Sequence, residues 1–260
     1  MRRFTLAITV IFTLLIGVST ASAGTMDPKV SGLVSVPDGL KMMSRDLGLA
    51  FQPRFSGPAN SYGGLGFDMG YAITMTDIDQ ESDYWSSAVE EPSDLMLVSQ
   101  LSVHKGLPYS IGLNTTLGFL HNSGLWSLDL GIKWAFVEGF HYVPDMAIQV
   151  QVGTLMGSTE LSLLRVATDF QISKSFGLGG VVRLTPYAAY SFAFVQPSPQ
   201  VVARFDDWAI EADTNIVTVL PLFLHRGIIG ARVTVAMVDV GLEVALGETN
   251  TFGTRIGLNF

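Results

Sequence analysis

From Gly64 to Met75 the chain alternates. Leu65, Phe67, Met69, Tyr71, Ile73 and Met75 form one set; Gly64, Gly66, Asp68, Gly70, Ala72 and Thr74 form the other. Successive side chains of a strand point to opposite faces, so this stretch predicts a strand with one apolar face and one small or polar face. The period of two returns in ten segments, at about 61–76, 94–104, 109–120, 125–137, 145–156, 160–173, 181–195, 226–236, 238–247 and 251–260.

A water-soluble sandwich also alternates, and two features argue against one here. The charges lie beside glycines on the face that a closed sheet would turn inward. The apolar face carries aromatics near segment ends: Tyr109, Phe119, Trp126, Trp134, Phe136, Phe192, Phe252 and Phe260. Segments of about ten residues, apolar outside and polar inside with aromatic girdles, mark a transmembrane β-barrel. Only a closed barrel satisfies strand backbones in lipid. Over residues 61–260 the chain resembles bacterial outer-membrane β-barrel proteins.

The fold class this predicts is all-β: a single antiparallel up-and-down transmembrane barrel of ten strands. A twelve-strand alternative adds 46–54 and 216–224. Ten strands place short turns at 105–108, 138–144, 174–180 and 237–238 on the periplasmic rim, with long outer loops at 77–93 and 196–225. The resemblance further implies that the last strand, through Phe252, Ile256, Leu258 and Phe260, is the signal read by the barrel-assembly machinery. It also implies outer-membrane lipid and lipopolysaccharide as surroundings.

The first residues fit that destination. Arg2 and Arg3 precede an uncharged apolar run, Phe4 to Val18, and Ala21-Ser22-Ala23 is a small-x-small site. This predicts a signal peptide cut after Ala23. Residues 24–60 are expected to form a periplasmic or plug segment, with helical character in the stretch SRDLGLAFQPRF. The formal net charge is −8, and the leader holds two of the basic groups, which argues against nucleic acid as a partner. There is no cysteine, hence no disulfide framework.

Candidate chemistry is sparse. Asp77, Asp79, Glu81 and Asp83 alternate as oxygen ligands for Ca²⁺ could, but Ser82 and Ala88 stand where an EF-hand needs Gly and Glu. His104, His121, His141 and His225 lack metal-ligand spacing. SFGLGG precedes a strand, unlike a phosphate-binding loop. Outer-membrane hydrolases use Asp/His or Ser/His groups near the rim, where His121 and the acids of 77–94 lie, yet no motif joins them. No catalytic residue, cofactor or metal is therefore predicted, and the chain is expected not to be an enzyme. The stretch IVTVLPLFL at 216–224 reads as a strand, a lumen-packed loop or a membrane contact.

Ten strands are near the narrow end of the barrel range. The leading functional reading is binding or passage of small, hydrophobic molecules of unidentified nature. The alternative is a structural or surface-interaction barrel with a side-chain-filled lumen. Inward positions carry Asp68, Asp129, Asp169, Asp239 and Glu243 against Lys133, Arg165, Arg183, Arg232 and Arg255, which predicts a lumen charge network. Residues equidistant from a hairpin turn face one another about 5 Å apart. That symmetry predicts an Arg232–Glu243–Arg255 ladder, Asp68 beside Arg255, and an Asp169–Arg183 pair.

Overall fold

The computed structural model describes residues 25–33, 36, 38–199 and 221–260; the expected leader lies outside them. Its strands are β1 (Phe67–Asp77), β2 (Leu95–Leu107), β3 (Ile111–Leu120), β4 (Trp126–Val137), β5 (Asp145–Met156), β6 (Leu161–Ser173), β7 (Phe176–Leu178), β8 (Val182–Pro199), β9 (Leu222–Val235), β10 (Val238–Gly247) and β11 (Thr251–Asn259). Neighbours pair antiparallel from β6 back to β1, then through β11, β10 and β9 to β8, and β8 pairs with β6. The sheet thereby closes into a ring of ten strands. The short β7 stands outside the ring and prolongs β6 along β8.

The twelve-strand alternative is overturned. Residues 46–50 end a helix, and 51–60 carry no strand. Of 216–224, Leu222–Leu224 open β9, while 216–220 lie outside the described residues. Several boundaries also move. β1 begins at Phe67 rather than 61, because residues 61–66 turn, with Gly63 at φ 68°. β2 runs to Leu107, so Tyr109 is a turn residue at φ 64° and not the start of β3. β8 and β9 extend into the expected outer loop, to Pro199 and from Leu222.

The faces are sorted opposite to those of a water-soluble domain. Outward Ile229 is 65% exposed and Ile256 57%, while inward Asp68 is 0% and Arg255 2%. An apolar outer wall around a polar interior is what lipid requires. No helix among the described residues is long and apolar enough to span a membrane; the strands are the spanning elements.

One rim carries both Phe67 and Phe260 together with the turns 108–110, 138–144 and 236–237. The opposite rim carries the long connection 78–94, the strand ends at Pro199 and Leu222, and the short connections 121–125 and 157–160. We call these the lower and upper rims. Helix α1 (Gly39–Ala50) packs inside the upper mouth against β1, β6, β8 and β9. The short α2 (Asp83–Ala88), within the 78–94 connection, packs against it. At this level the inward strand positions are apolar: Val98, Leu120, Leu161, Val195, Leu222 and Leu224 form one core with Met43 and Leu47 of α1 and Trp85 of α2. Burying these side chains holds the helix in the ring.

Candidate functional site: a filled lumen

Below Ala50 the chain continues down the middle of the barrel as residues 51–60. Pro53 and Pro58 and the left-handed Phe55, φ 58°, keep it out of helix or strand. Irregular backbone at membrane depth survives only where protein satisfies its polar groups. Inward side chains do so from around the ring. Gln100 Oε1 accepts from the Arg54 amide at 3.0 Å, Glu243 Oε2 from the Phe55 amide at 3.0 Å, and Ser173 Oγ from the Ala59 amide at 2.9 Å. Lys133 Nζ donates to the Pro58 carbonyl at 2.9 Å, and Arg232 Nη2 to that of Gly57 at 2.7 Å.

The helix end is tied as firmly. The last carbonyls of an α-helix lack intrahelical partners and carry the negative end of its dipole. Three arginines converge on them. Arg165 donates to Gly48 at 3.1 Å and Phe51 at 3.0 Å, Arg226 to Leu49 at 3.1 Å, and Arg54 to the same Leu49 oxygen at 3.4 Å. Arg165 also pairs with Asp129. On the upper side, buried Asp46 accepts from Tyr84 Oη at 2.9 Å, Trp85 Nε1 at 3.1 Å and Arg45 Nε at 2.9 Å, fastening α1 to α2. Burial, and then the Asp46 carboxylate, raise the Tyr84 hydroxyl above its ordinary pKa.

Lower in the lumen Asp68, Asp239, Arg232 and Arg255 form one cluster. Arg255 contacts both carboxylates, and Arg232 lies 3.7 Å from each. Asp68 and Arg255 thus meet where β1 and β11 adjoin. Inward glycines make the space. A Cβ at Gly70 would overlap the Arg255 guanidinium, and one at Gly253 would stand 3.1 Å from the Phe55 ring.

The Arg232–Glu243–Arg255 ladder does not form. Arg232 and Arg255 both face Gly241, while Glu243 faces Gly230 and Gly253. Glu243 instead accepts from the Phe55 amide and from Tyr187 Oη at 2.8 Å. The Asp169–Arg183 pair fails likewise. Asp169 faces Ser191 and accepts from Gln151 Nε2 at 2.9 Å. Arg183 faces Gly177 in the hairpin beyond the ring and is exposed, so it stands apart from the lumen network. The physical cause is register: both late turns centre one residue earlier than supposed, and the β6–β8 hairpin runs on to Gly179 and Gly180.

Among the described residues, a cavity opens at each mouth. The lower, about 240 Å³, is lined by Asn60, Tyr62, Arg183, Thr185 and Arg232 among others. The upper, about 260 Å³, includes Arg45, Asp46, Asp77, Tyr84 and Glu248. Residues 46–58, with the side chains they bind, lie between the two. Among the described residues no group of three His, Asp or Glu is placed to hold a metal ion. In the last strand, Phe252 and Ile256 point outward, and Leu258 faces Met69 of β1. Phe260 exchanges backbone hydrogen bonds with Phe67 at 2.6 and 2.9 Å and stacks on its ring at 5.5 Å.

No protein-family model matches the chain, and no curated protein matches it. Solved structures do. The β-domain of the Bordetella autotransporter BrkA aligns at 8% identity and TM-score 0.46, covering 75% of this chain and all of that one. The KdgM porin aligns at 7% and 0.34, covering 74% and 99%, and the outer-membrane enzyme PagL at 11% and 0.31, covering 74% and 98%. Its closed ring of ten strands, apolar outside and charged within, is the fold of the outer-membrane β-barrels. The likeness extends to that architecture alone.

Proposed function

We propose that the protein is a closed, non-conducting barrel of the bacterial outer membrane that presents its N-terminal segment and long loops at the cell surface for interaction. The observation that carries this reading is the occupied lumen: residues 46–60 fill it, bonded by side chains of six or more strands. The occupied interior favours the alternative expectation, a barrel with a side-chain-filled lumen, over the leading one, binding or passage of small molecules.

Orientation follows from connection length, since outer-membrane barrels keep short turns in the periplasm and long loops outside. The upper rim is then the surface face. There the N-terminal segment is stitched to the loops. Met26 N donates to Asn122 O at 3.0 Å and Lys29 N to Ala88 O at 2.7 Å. Asp27 accepts from Ser123 Oγ and Gly124 N, both at 2.7 Å. With α2 these residues cap the mouth. In the same reading the leader is removed after Ala23, residues 24–60 are the plug, and β11 with Phe260 is the strand that the assembly machinery engages.

Single-channel recording of the full chain in planar bilayers tests the proposal. Electrical silence across both polarities is the expected result. Steady conductance steps would overturn it.

A further inference from the structure

On the barrel's outer wall, three polar side chains from three adjacent strands meet. Tyr71 Oη lies 2.7 Å from Ser99 Oγ, and Ser99 Oγ lies 2.8 Å from His121 Nε2. Tyr71 is on β1, Ser99 on β2, and His121 follows β3. All occupy outward positions amid Ile73, Leu97, Leu101 and Phe119. An ionisable side chain hydrogen-bonded to a hydroxyl on a lipid-facing wall is a functional-site candidate by default. A Leu or Val at position 99 would satisfy the wall better.

The depth of the group is defined by register. Ser99 faces Phe119, which faces Trp126. Ser99 therefore lies in the row of the upper aromatic girdle, where headgroups meet acyl chains. His121 is held from two sides. Its amide donates to Leu97 O at 2.9 Å, and its ring meets Phe119 edge-on at 5.9 Å.

We infer that Ser99 and His121 form a nucleophile–base pair that hydrolyses an acyl ester of a membrane lipid, with Tyr71 as oxyanion donor. With the His121 proton on Nδ1, Tyr71 donates to Ser99 Oγ and Ser99 donates to His121 Nε2, the ground state of a base-activated serine. Ser99 Oγ attacks the ester carbonyl carbon while its proton passes to Nε2. The carbonyl electron pair moves onto oxygen, beside the Tyr71 hydroxyl. Collapse breaks the ester C–O bond, and the departing lipid alkoxide takes the proton from Nε2. Interfacial water then attacks the acyl-Ser99 carbonyl carbon, giving a proton to His121 Nε2. Collapse breaks the acyl C–Oγ bond, Ser99 Oγ takes the proton back from Nε2, and the fatty acid leaves with Ser99 and neutral His121 restored. The apolar wall beside Ser99 suits an acyl chain that stays in the leaflet throughout.

A second lipid-facing contact supplies the control. Tyr190 Oη lies 3.2 Å from His225 Nδ1, with no nucleophile in the pair. The proposal is independent of the filled lumen, since conductance and lipid hydrolysis are read separately.

The test is fatty-acid release by full-length protein reconstituted into phosphatidylethanolamine vesicles or, in a second arm, mixed with purified lipopolysaccharide. Release in one arm identifies the lipid class. Ser99→Ala and His121→Ala should each lower release about 100-fold or more, and Tyr71→Phe on the order of 100-fold. His225→Ala should leave it unchanged. Heat-modifiable migration on gels confirms that each variant is folded. A fluorophosphonate should label the wild type at Ser99, a readout that needs no variant. Release absent in both arms together with an unlabelled Ser99 would overturn the inference, as would undiminished release by folded Ser99→Ala.

Discussion

Arg226 donates to the carbonyl oxygen of Leu49 at 3.1 Å, across 177 positions of sequence. A wall strand thereby holds the end of the helix that blocks its own barrel. Arg165 and Arg54 converge on the same helix end, so three cations face one dipole terminus.

These arginines are not equivalent. Arg226→Leu removes one bond to the helix end and relieves repulsion from Arg54, so its cost should be about 1 kcal/mol. Arg165→Leu leaves Asp129 buried without its partner, and should cost about 3–5 kcal/mol. Urea unfolding in detergent gives both values. Equal losses would mean that Asp129 is solvated and that the lumen is wet.

Glu243 should behave as a backbone acceptor, not an ion-pair partner. Glu243→Ala strands the Phe55 amide and the Tyr187 hydroxyl and should cost about 2–3 kcal/mol. Glu243→Gln keeps an acceptor oxygen for both and should cost about 1 kcal/mol. A glutamine variant as unstable as the alanine one would restore the charge to the leading role.

Gly253 makes room for Phe55. Gly253→Leu should drive the ring, and residues 54–57 with it, from the centre of the lumen. The expected readouts are faster proteolysis of the N-terminal segment in detergent and the appearance of channel openings in bilayers. An electrically silent, protease-resistant variant would show that the segment repacks.

Phe260 offers a separation of stability from assembly. Phe260→Ala preserves the backbone exchange with Phe67 and loses only ring stacking. Refolded protein should lose about 1 kcal/mol. If cells read this residue during insertion, abundance in the outer membrane should fall far more steeply than that. Proportionate losses in the two measurements would leave the ring a purely structural contact.

The ten ring strands were legible because alternation at period two is dictated by the two media they separate. Partnership was less so. A register shift of one residue turns every side chain to the other face, whereas a shift of two preserves facing. Hence Arg232, Glu243 and Arg255 were placed inward while their partners were misassigned. The β9–β10 turn centres on Ala236 and Met237, and Ala236 takes φ 53° without the Gly or Asn that usually announces such a turn. Gly179 and Gly180 did announce one, but the polar Lys174 and Ser175 before them read as loop. Arg54 and Arg226 escaped notice because their acceptors are carbonyls, which no side-chain pattern reveals. Ser99 lay in a predicted strand, and its proximity to His121 emerges only from the pairing of β2 with β3.

Residues 25–33 lie at one mouth and Phe67 at the other, with a closed ring around what runs between. Such a path restricts the order of events during biogenesis. Either the N-terminal end slides through a finished ring, or the ring wraps a segment already in position. Arg54 and Phe55 are buried in the middle of the bore, and protein interiors pack too closely to leave a gap for sliding. Wrapping is the remaining route. Synthesis runs in the same sense, because the central segment precedes every strand and β11 comes last. Zipping of β1 to β11, from Asp68 opposite Asn259 to Thr76 opposite Thr251, is then the event after which the enclosed chain can no longer escape sideways.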